Sequence, residues 1–345
     1  MDVLFSGQLL TFILGIAILI FVHELGHFVA ARLLKVEVEE FGLGFPPRIV
    51  KLFRAGGTDF TLNWIPLGGF VRLKGESDPD VEGGMAAASP WVRLTVLLAG
   101  PMTNILIGLI LGIFLVYSWG EPVPNGVLVN AVSDSSPAES AGLLPGDYFI
   151  TINDAEIDYI QTAQDVIREN VERPTTFVMQ REGETYTVTI VPRAEPPPGD
   201  GAIGVILDNE TQPVGLVTAV TDGSEEFSRI VHALVTLPVQ MVRGEVSAEE
   251  GRLVGYRGMF EIYRQIPSRL WFFMMISISL GILNLLPIPA LDGGRIALIL
   301  PEIFLRRRIP AQYENMIHLV GFIVLIALMI WINIQDWINP LKLPQ

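Results

Sequence analysis

The chain has 345 residues, enough for two or three domains of ordinary size. Half of the residues are hydrophobic and 17% are charged, against about 25% in a typical soluble domain, so a disordered chain is excluded. The chain contains no cysteine, which excludes disulfide scaffolds, thiolate metal sites and cysteine nucleophiles. The formal net charge of −14 argues against a nucleic-acid partner, which normally needs a basic face. The composition therefore predicts a membrane protein.

Four charge-free windows are long enough to span a membrane, which takes about 20 apolar helical residues. They are residues 3–22, 94–120, 270–291 and 315–335. The first window is not typical of a cleavable signal peptide, because it has no basic start and no small-residue cleavage site. We therefore expect an α-helical polytopic protein with four transmembrane helices.

The basic residues predict the orientation of these helices, because Lys and Arg are enriched in cytoplasmic loops. They concentrate between the first and second windows and between the third and fourth, where residues 306–308 are three consecutive arginines. Residues 121–264 instead hold 23 acidic and nine basic residues, an excess equal to the whole net charge. We expect this acidic block to lie outside the cytoplasm.

Residues 23–27 read HELGH and directly follow the first window. His23 and His27 share a helix face because they are four positions apart, so both imidazoles can bind one zinc ion. Glu24 lies beside that metal, where it can accept a proton from zinc-bound water and later deliver it to the leaving amine. Ionisable groups at membrane depth are costly and usually functional, which favours a catalytic zinc site over a solvated helix end.

A catalytic zinc site usually has three protein ligands, and without cysteine the third must be a histidine or a carboxylate. The first and third windows run in the same direction, so Asp292 lies on the same side of the membrane as His23 and His27. Two prolines and two glycines close to Asp292 predict irregular backbone, which is tolerated at membrane depth only inside protein or along a wet cavity. This context favours Asp292 as the third ligand, with His318 as its rival.

Three motifs together resemble those of the site-2 proteases, and more closely those of the bacterial regulated intramembrane zinc metalloproteases that carry a PDZ domain. HELGH at residues 23–27 and NLLPIPALDGGR at residues 284–295 match the two metal motifs of that family. AGPMTNIL at residues 99–106 resembles its second-span motif. The chain departs from the family at residues 255–259, where it has GYRGM in place of a G-P-V-G-I type sequence.

The resemblance implies roles for individual residues. His23, His27 and Asp292 would bind Zn²⁺, and Glu24 would be the catalytic acid and base. Asn284 would help to hold the substrate backbone, a role that suits an amide with both a donor and an acceptor.

Residues 41–74 alternate between apolar and polar side chains in the manner of β-strands; Leu62 and Trp64, for example, flank Asn63. A small cytoplasmic sheet that protects the active site is one interpretation. The resemblance implies a membrane-reentrant β-hairpin, whose exposed strand edge would hold a substrate in an extended form.

Residues 136–147 (SPAESAGLLPGD) closely resemble the helix–turn–strand element of PDZ domains. We expect one α+β PDZ domain at residues 122–194, which would add peptides to the edge of the strand at residues 127–132. A folded spacer that excludes bulky substrates by size is the alternative. Residues 224–243 are predicted to form an amphipathic helix.

The predicted organisation is a helical membrane protein with a membrane-associated β-hairpin and one extracytoplasmic PDZ domain. Its segments are a first transmembrane helix with HELGH (1–36), the hairpin region (37–90), a second transmembrane helix (91–120), the PDZ domain (122–194), a linker with an amphipathic helix (195–264), a third transmembrane helix with NLLPIPALDGGR (265–305) and a fourth (311–338).

The implied function is zinc-dependent cleavage of transmembrane segments in the bacterial cytoplasmic membrane. The expected partners are single-span membrane protein substrates such as anti-sigma factors or signal-peptide remnants, the lipid bilayer, and a peptide or protein ligand of the PDZ domain. Two alternatives remain: a membrane-anchored zinc protease that cuts soluble or misfolded proteins, and a non-catalytic PDZ scaffold or chaperone. The intact Glu24 argues against the second alternative.

Overall fold

The computed structural model describes residues 7–76, 78–197, 200–246, 251–266 and 268–340. The start of the first predicted window (3–6) and parts of the predicted linker segment (198–199 and 247–250) lie outside these residues. The chain divides into two compact units. The first, called here the helical unit, comprises residues 1–113 and 223–342; the second, called here the sheet unit, comprises residues 114–222 and 343–345.

The elements of the described residues follow one another in chain order. The helices are α1 (Gly7–Leu33), α2 (Pro90–Trp119), α3 (Pro137–Ser140), α4 (Ile160–Glu169), α5 (Leu216–Arg243), α6 (Tyr256–Gln265), α7 (Arg269–Leu285), α8 (Asp292–Leu305) and α9 (Ala311–Ile338). The strands are β1 (Val38–Ala55), β2 (Thr58–Leu73), β3 (Glu121–Val132), β4 (Tyr148–Ile152), β5 (Ala155–Glu156), β6 (Thr175–Arg181), β7 (Glu184–Ile190) and β8 (Val205–Gln212).

Among the described residues, three helices are long and apolar enough to cross a membrane: α1, α2 and α9. The third predicted window does not give a helix of that length. Its helix, α7, has 17 residues and ends at Leu285, because Pro287 and Pro289 cannot donate to a helical ladder. The chain becomes helical again only at Asp292, where α8 begins. A charge-free run of 22 residues is thus divided between a short helix and a non-helical segment, residues 286–291.

Helices α1, α2 and α7 approach one another closely at small residues. A Cβ added at Gly26 of α1 would lie 2.5 Å from the Ala99 carbonyl oxygen of α2. A Cβ at Gly108 of α2 would lie 2.3 Å from Ile278 of α7, and one at Gly281 of α7 would lie 2.8 Å from a carbonyl of α2. Apolar helices in lipid associate through such close packing, since lipid tails remove the hydrophobic drive between them. The AGPMTNIL segment is therefore a packing surface for α1 and α7.

The two long strands β1 and β2 form the predicted β structure and pair antiparallel. Residues 40–43 of β1 pair with 59–62 on one side and with 69–72 on the other, so β2 folds around them. Phe41 packs edge-on against Phe21 of α1, with ring centroids 5.4 Å apart. No other described strand pairs with these two. The outer edge of residues 69–72 is therefore free of strand partners within the described chain.

The sheet unit is built around strands in the order β7-β6-β4-β3-β8, with β5 paired to β4. Its core is formed by side chains of the strands and of α3 and α4. The buried members include Val127, Val129, Leu143, Phe149, Ile152, Ala163, Phe177 and Met179.

Two expectations for this unit are corrected by the sheet. The sheet does not end at residue 194, because β8 pairs antiparallel with β3 from Glu121↔Gln212 to Val132↔Val205. The strand at residues 127–132 is not a free edge either, since it lies within β3, between β4 and β8. The edge strands of the described sheet are β7 and β8. The prediction failed because β8 lies beyond a proline-rich stretch and pairs with a strand about 80 residues earlier.

A buried carboxylate organises one end of the sheet unit. Asp147 accepts from Arg181 Nε at 2.6 Å, from the Tyr186 hydroxyl at 2.6 Å and from the Leu144 N–H at 2.7 Å. Burial alone raises the pKa of Asp147, but Arg181 and the Leu144 N–H outweigh burial and hold the pKa below its ordinary value. Burial and the bond to Asp147 raise the pKa of Tyr186 to about 12.

Candidate metal centre

The structure brings together the three residues predicted as metal ligands. His23 and His27 lie one turn apart on α1, and Asp292 is the first residue of α8. The His23 and His27 Nε2 atoms are 3.2 Å apart, and Asp292 Oδ2 lies 3.1 Å from the first and 3.3 Å from the second. Both histidines are less than a tenth exposed. In the described residues this is the only such group of three histidine or acidic side chains.

The His27 ring has a defined tautomer when neutral. Its Nδ1 lies 2.8 Å from the Val96 carbonyl oxygen of α2, and because a carbonyl can only accept, Nδ1 carries the proton. The Nε2 lone pair then points into the three-residue group. Gly100 of α2 makes room for the ring, since an added Cβ would lie 2.3 Å from His27 Nε2. Such a bond at the far nitrogen is what usually orients a histidine that binds a metal.

This donor set fits a zinc ion. In neutral His27, Nε2 is an acceptor that faces an acceptor oxygen of Asp292 at 3.3 Å, and a cation between them turns repulsion into attraction. Three ligand atoms of a tetrahedral zinc site with bonds of about 2.0–2.1 Å lie about 3.3 Å from one another. The observed separations of 3.1–3.3 Å match that value. Two imidazoles and one carboxylate are also among the usual ligand sets of catalytic zinc.

Tight backbone packing places Asp292 beside α1. A Cβ added at Gly293 would lie 2.3 Å from the carbonyl oxygens of Leu285 and Leu286. One added at Gly294 would lie 2.3 Å from the Ile288 carbonyl oxygen. The start of α8 therefore folds directly against the end of α7, which requires both glycines. This explains why glycines follow the carboxylate in the sequence.

The other two predicted site residues lie outside the three-residue group. Glu24 is half-buried on α1, and its Cγ lies 3.9 Å from the position that a Cβ on Gly69 of β2 would take. Glu24 thus lies between the group and the β2 edge. Asn284 is in the last turn of α7, and its Nδ2 donates to the Leu280 carbonyl oxygen at 2.9 Å. Among the described residues, Asn284 forms no hydrogen bond with either histidine.

The rival third ligand has a different contact. His318 lies on α9, where its Nδ1 accepts the Ala290 N–H at 3.2 Å. It is not part of the three-residue group. The geometry therefore supports the choice of Asp292 over His318.

Sequence reasoning missed the parts of this centre that come from α2. A sequence cannot indicate the role of the Val96 carbonyl, because every residue has a backbone carbonyl. Gly100 did leave a signal, since it belongs to the AGPMTNIL motif, yet its place under the His27 ring follows only from the packing of α2 on α1.

Apolar helices of membrane length, joined to a group of side chains that can hold a metal, define a membrane metalloenzyme. The family model described as peptidase family M50 matches residues 11–328. The chain belongs to peptidase family M50, the site-2 protease family. The predictions of this family, of a peptidase and of a zinc cofactor are thereby confirmed.

Named relatives agree with this family. A Clostridium perfringens protein named "Putative zinc metalloprotease" is 31% identical over 95% of this chain and 98% of its own length. A protein of the same name from Campylobacter jejuni is 32% identical over 96% of this chain and 94% of its own. Zinc metalloprotease RasP of Geobacillus kaustophilus is 27% identical over 96% and 98%.

One solved structure resembles part of the chain. The PDZ domain of an SdrC-like protein from Listeria monocytogenes covers 25% of this chain and 92% of its own, with 24% identity and a TM-score of 0.23. A likeness of that size does not define a fold. The PDZ assignment therefore stays a prediction from the sequence.

Proposed function

We propose that this protein is an intramembrane zinc endopeptidase in which His23, His27 and Asp292 hold the metal and Glu24 is the catalytic acid and base. One observation carries the proposal: one side-chain atom each of His23, His27 and Asp292, from α1 and α8, converge at separations of 3.1–3.3 Å. Bound zinc polarises a carbonyl and lowers the pKa of a water molecule, which is the chemistry that peptide hydrolysis requires.

The chain's own residues supply the proton transfer and hold the centre in place. Glu24 is one residue from His23, so its carboxylate can accept the proton of the attacking water and return it to the leaving amine nitrogen. The Val96 carbonyl fixes the His27 ring, and the tight α7–α8 junction fixes Asp292. A binding-only protein would have no use for an ionisable Glu24 at this position.

The β2 edge supports a role in holding the substrate. A transmembrane helix hides its peptide bonds in its own hydrogen bonds, so cleavage needs a locally extended segment. The free edge at residues 69–72 begins at Gly69, beside Glu24. A substrate strand added there would place its backbone next to the catalytic carboxylate. Asn284, whose amide has both donor and acceptor groups, would hold the same backbone from α7.

The substrates we propose are single-span membrane proteins, cut within regulated intramembrane proteolysis. Exposed apolar side chains along β1 and β2 support placing this hairpin in the membrane rather than in water. They are Leu43, Phe45, Ile49, Val50, Leu52, Phe53, Leu62, Trp64 and Ile65.

We further propose that the protein lies in the bacterial cytoplasmic membrane with four membrane passages. The third passage would consist of α7 and the non-helical segment, whose irregular backbone is tolerated where protein buries it. The concentration of Lys and Arg between the first and second windows, and between the third and fourth, supports an extracytoplasmic position for the sheet unit.

The sheet unit would act as a PDZ domain that selects substrates. Its pairing supports boundaries of 121–212 rather than 122–194, because β8 completes the sheet. β8 is then one of the two edges that can add a peptide, the other being β7, and its burial alternates along residues 205–210. A size filter for bulky outer domains remains the alternative role for this unit.

The test is hydrolysis by the purified protein. Metal analysis of the intact, detergent-solubilised protein should find zinc. Incubation with a library of single-span peptides, followed by mass spectrometry, should locate cuts within the apolar segments. Glu24→Gln is the matched control, since it keeps volume and hydrogen bonding but removes the proton acceptor. Cleavage of soluble unfolded proteins but of no single-span peptide would favour the membrane-anchored alternative and overturn the proposal.

A further inference from the structure

The non-helical segment at residues 286–291 leads directly into Asp292, the proposed third metal ligand. Local hydrogen bonds satisfy all but one of its backbone N–H groups. The Leu286 N–H donates to Leu283 of α7, the Ile288 N–H to the Leu286 carbonyl and the Leu291 N–H to the Ile288 carbonyl. The two prolines have no N–H to donate. One N–H remains, that of Ala290, and its partner comes from a distant helix.

That partner is His318 of α9, whose Nδ1 accepts the Ala290 N–H at 3.2 Å. Because the amide is the donor, Nδ1 is unprotonated and the ring proton is on Nε2. Ala290 has φ +78°, a left-handed conformation that is strained for a residue with a side chain and persists only when its surroundings impose it. The bond to His318 is one of those surroundings.

A second residue brings α9 to the same segment. Gly321 is three positions after His318 and so lies on the same helix face. A Cβ added at Gly321 would lie 2.2 Å from Pro289 Cβ and 2.8 Å from its carbonyl oxygen. Most residues of the apolar stretch of α9 are not buried by the rest of the chain. This helix therefore makes one of its few close contacts directly beside the metal ligand.

We propose that His318 is a positioning residue for the metal centre. By accepting the Ala290 N–H, it fixes the peptide two residues before Asp292 and so the direction in which that carboxylate faces the two histidines. Gly321 permits the approach of α9 that this bond requires. The inference rests on the proposed metal site and deepens it, because it makes the metal geometry depend on where the last helix sits.

The test compares four variants of the intact protein in detergent. His318→Ala removes the acceptor, whereas His318→Asn places an amide oxygen close to where Nδ1 was. Gly321→Ala pushes α9 away from Pro289 without touching the histidine. Leu319→Ala is the matched control, since that side chain is 60% exposed on the neighbouring face.

Three readouts separate positioning from general helix packing. They are the visible absorption spectrum of the cobalt-substituted protein, the rate of zinc loss to a chelator, and the kcat and KM for a cleavable single-span peptide. Outer hydrogen-bond partners of metal ligands typically change affinity or activity 10–100-fold, and we expect the low end of that range. His318→Ala and Gly321→Ala should alter the cobalt spectrum, speed zinc loss about tenfold and lower kcat with little change in KM. His318→Asn should restore all three readouts, and Leu319→Ala should change none.

Equal behaviour of His318→Ala and Leu319→Ala in the spectrum and in zinc loss would overturn the inference. So would a His318→Asn variant that fails to recover although its acceptor is present. If His318→Ala does not fold, His318→Gln replaces it, because glutamine extends the acceptor one bond farther, and Asn should then outperform Gln. Absence of zinc from the unaltered protein would instead refute the proposed function, so the two failures are distinguishable.

Discussion

Two aspartates, one in each unit, have little exposed side-chain surface (1% for Asp147 and 16% for Asp292), and they differ in what surrounds the carboxylate. In the sheet unit, Asp147 receives hydrogen bonds from a guanidinium, a phenol and a backbone N–H, all within 2.8 Å. In the helical unit, Asp292 faces two imidazole nitrogens at 3.1 and 3.3 Å, one of which presents a lone pair. The first carboxylate has a complete set of donors from the chain. Among the described residues, the second has the two imidazoles as its side-chain partners and no guanidinium or ammonium group hydrogen-bonded to it.

The difference separates a structural carboxylate from a functional one. Burial of a charge is costly unless the charge is paired and hydrogen-bonded. Arg181 meets that cost for Asp147, whose role is to tie β6 and β7 to the turn before β4. Near Asp292 the hydrogen-bonding partners are imidazoles, and a cation held jointly with the histidines would meet that cost. Burial of an acid therefore indicates little by itself, and the character of its partners indicates its role.

The largest expected effect comes from removing the Asp292 carboxylate. Asp292→Ala should weaken zinc binding by more than the roughly 10–100-fold that loss of an outer partner costs, and cleavage should be lost with it. Zinc content by metal analysis and peptide cleavage are the measurements. His318→Ala should keep zinc occupancy close to normal when zinc is in excess. The reverse pattern would move the third ligand to α9 and undo the contrast between the two aspartates.

The next effect separates holding the metal from moving the proton. Glu24→Gln should leave zinc content unchanged, because Glu24 is outside the three-residue group. Cleavage should fall about 10²–10⁴-fold, the usual contribution of a general acid and base. Near-normal turnover in this variant would show that another group carries the proton.

The third effect is on stability and belongs to the sheet unit. Asp147→Asn leaves Arg181 without its carboxylate; because that guanidinium is 37% exposed and water can solvate it, we expect a smaller loss of stability than for a fully buried ion pair. Hydrogen exchange of the intact protein should show faster exchange in β4, β6 and β7, while zinc content stays unchanged. Loss of zinc in this variant would mean that the two aspartates are not independent.

Low pH should destabilise the sheet unit of the unaltered protein in the same way as Asp147→Asn does. The pKa of Asp147 is held below its ordinary value in the folded state, so its contribution is full above about pH 4 and is lost as the pH falls through the folded value. Exchange protection in β6 and β7 should therefore drop below about pH 4. Asp147→Asn provides the control, because the difference between the two proteins should vanish in that range. A constant difference down to pH 2 would contradict the assigned pairing.

The sequence predicted the metal group well because its signals are local. A spacing of four places two histidines on one helix face, and the charge-free window before them predicts that helix. The proline and glycine pattern near Asp292 also predicted a break in the helix, although not that α7 would end six residues before the window does. That end depends on Pro287 and Pro289 acting together.

Long-range pairing was beyond the reach of the sequence. Nothing in residues 205–212 indicates that they join a strand that begins at residue 121, and without β8 the strand at 127–132 looked like an edge. The sequence likewise does not indicate the contact between His318 and Ala290, since that contact depends on where α9 lies. Both contacts join elements that are distant in the chain. Hydrophobic periodicity and secondary-structure propensity are local properties and cannot predict such contacts.

The smallest expected effect on chemistry comes from removing the sheet unit. Deletion of residues 121–212, with a short Gly/Ser linker in their place, should leave zinc content and cleavage of a short single-span peptide unchanged. Deletion of 122–194 alone is the informative control, since it would leave β8 as an unpaired strand that is prone to associate with other chains.

Substrate choice should change instead. If the unit excludes bulky substrates by size, those with large folded outer domains should be cut faster once it is removed. If β8 adds a peptide from the substrate, cleavage of the substrates that carry this peptide should slow, and a proline within Val205–Gln212 of the intact protein should have the same effect by removing an N–H from the edge. Loss of zinc in a well-folded deletion variant would show that the sheet unit supports the metal centre. Asp147 and Asp292 would then belong to one cooperative structure. The boundary between the two units would no longer separate a structural carboxylate from a functional one.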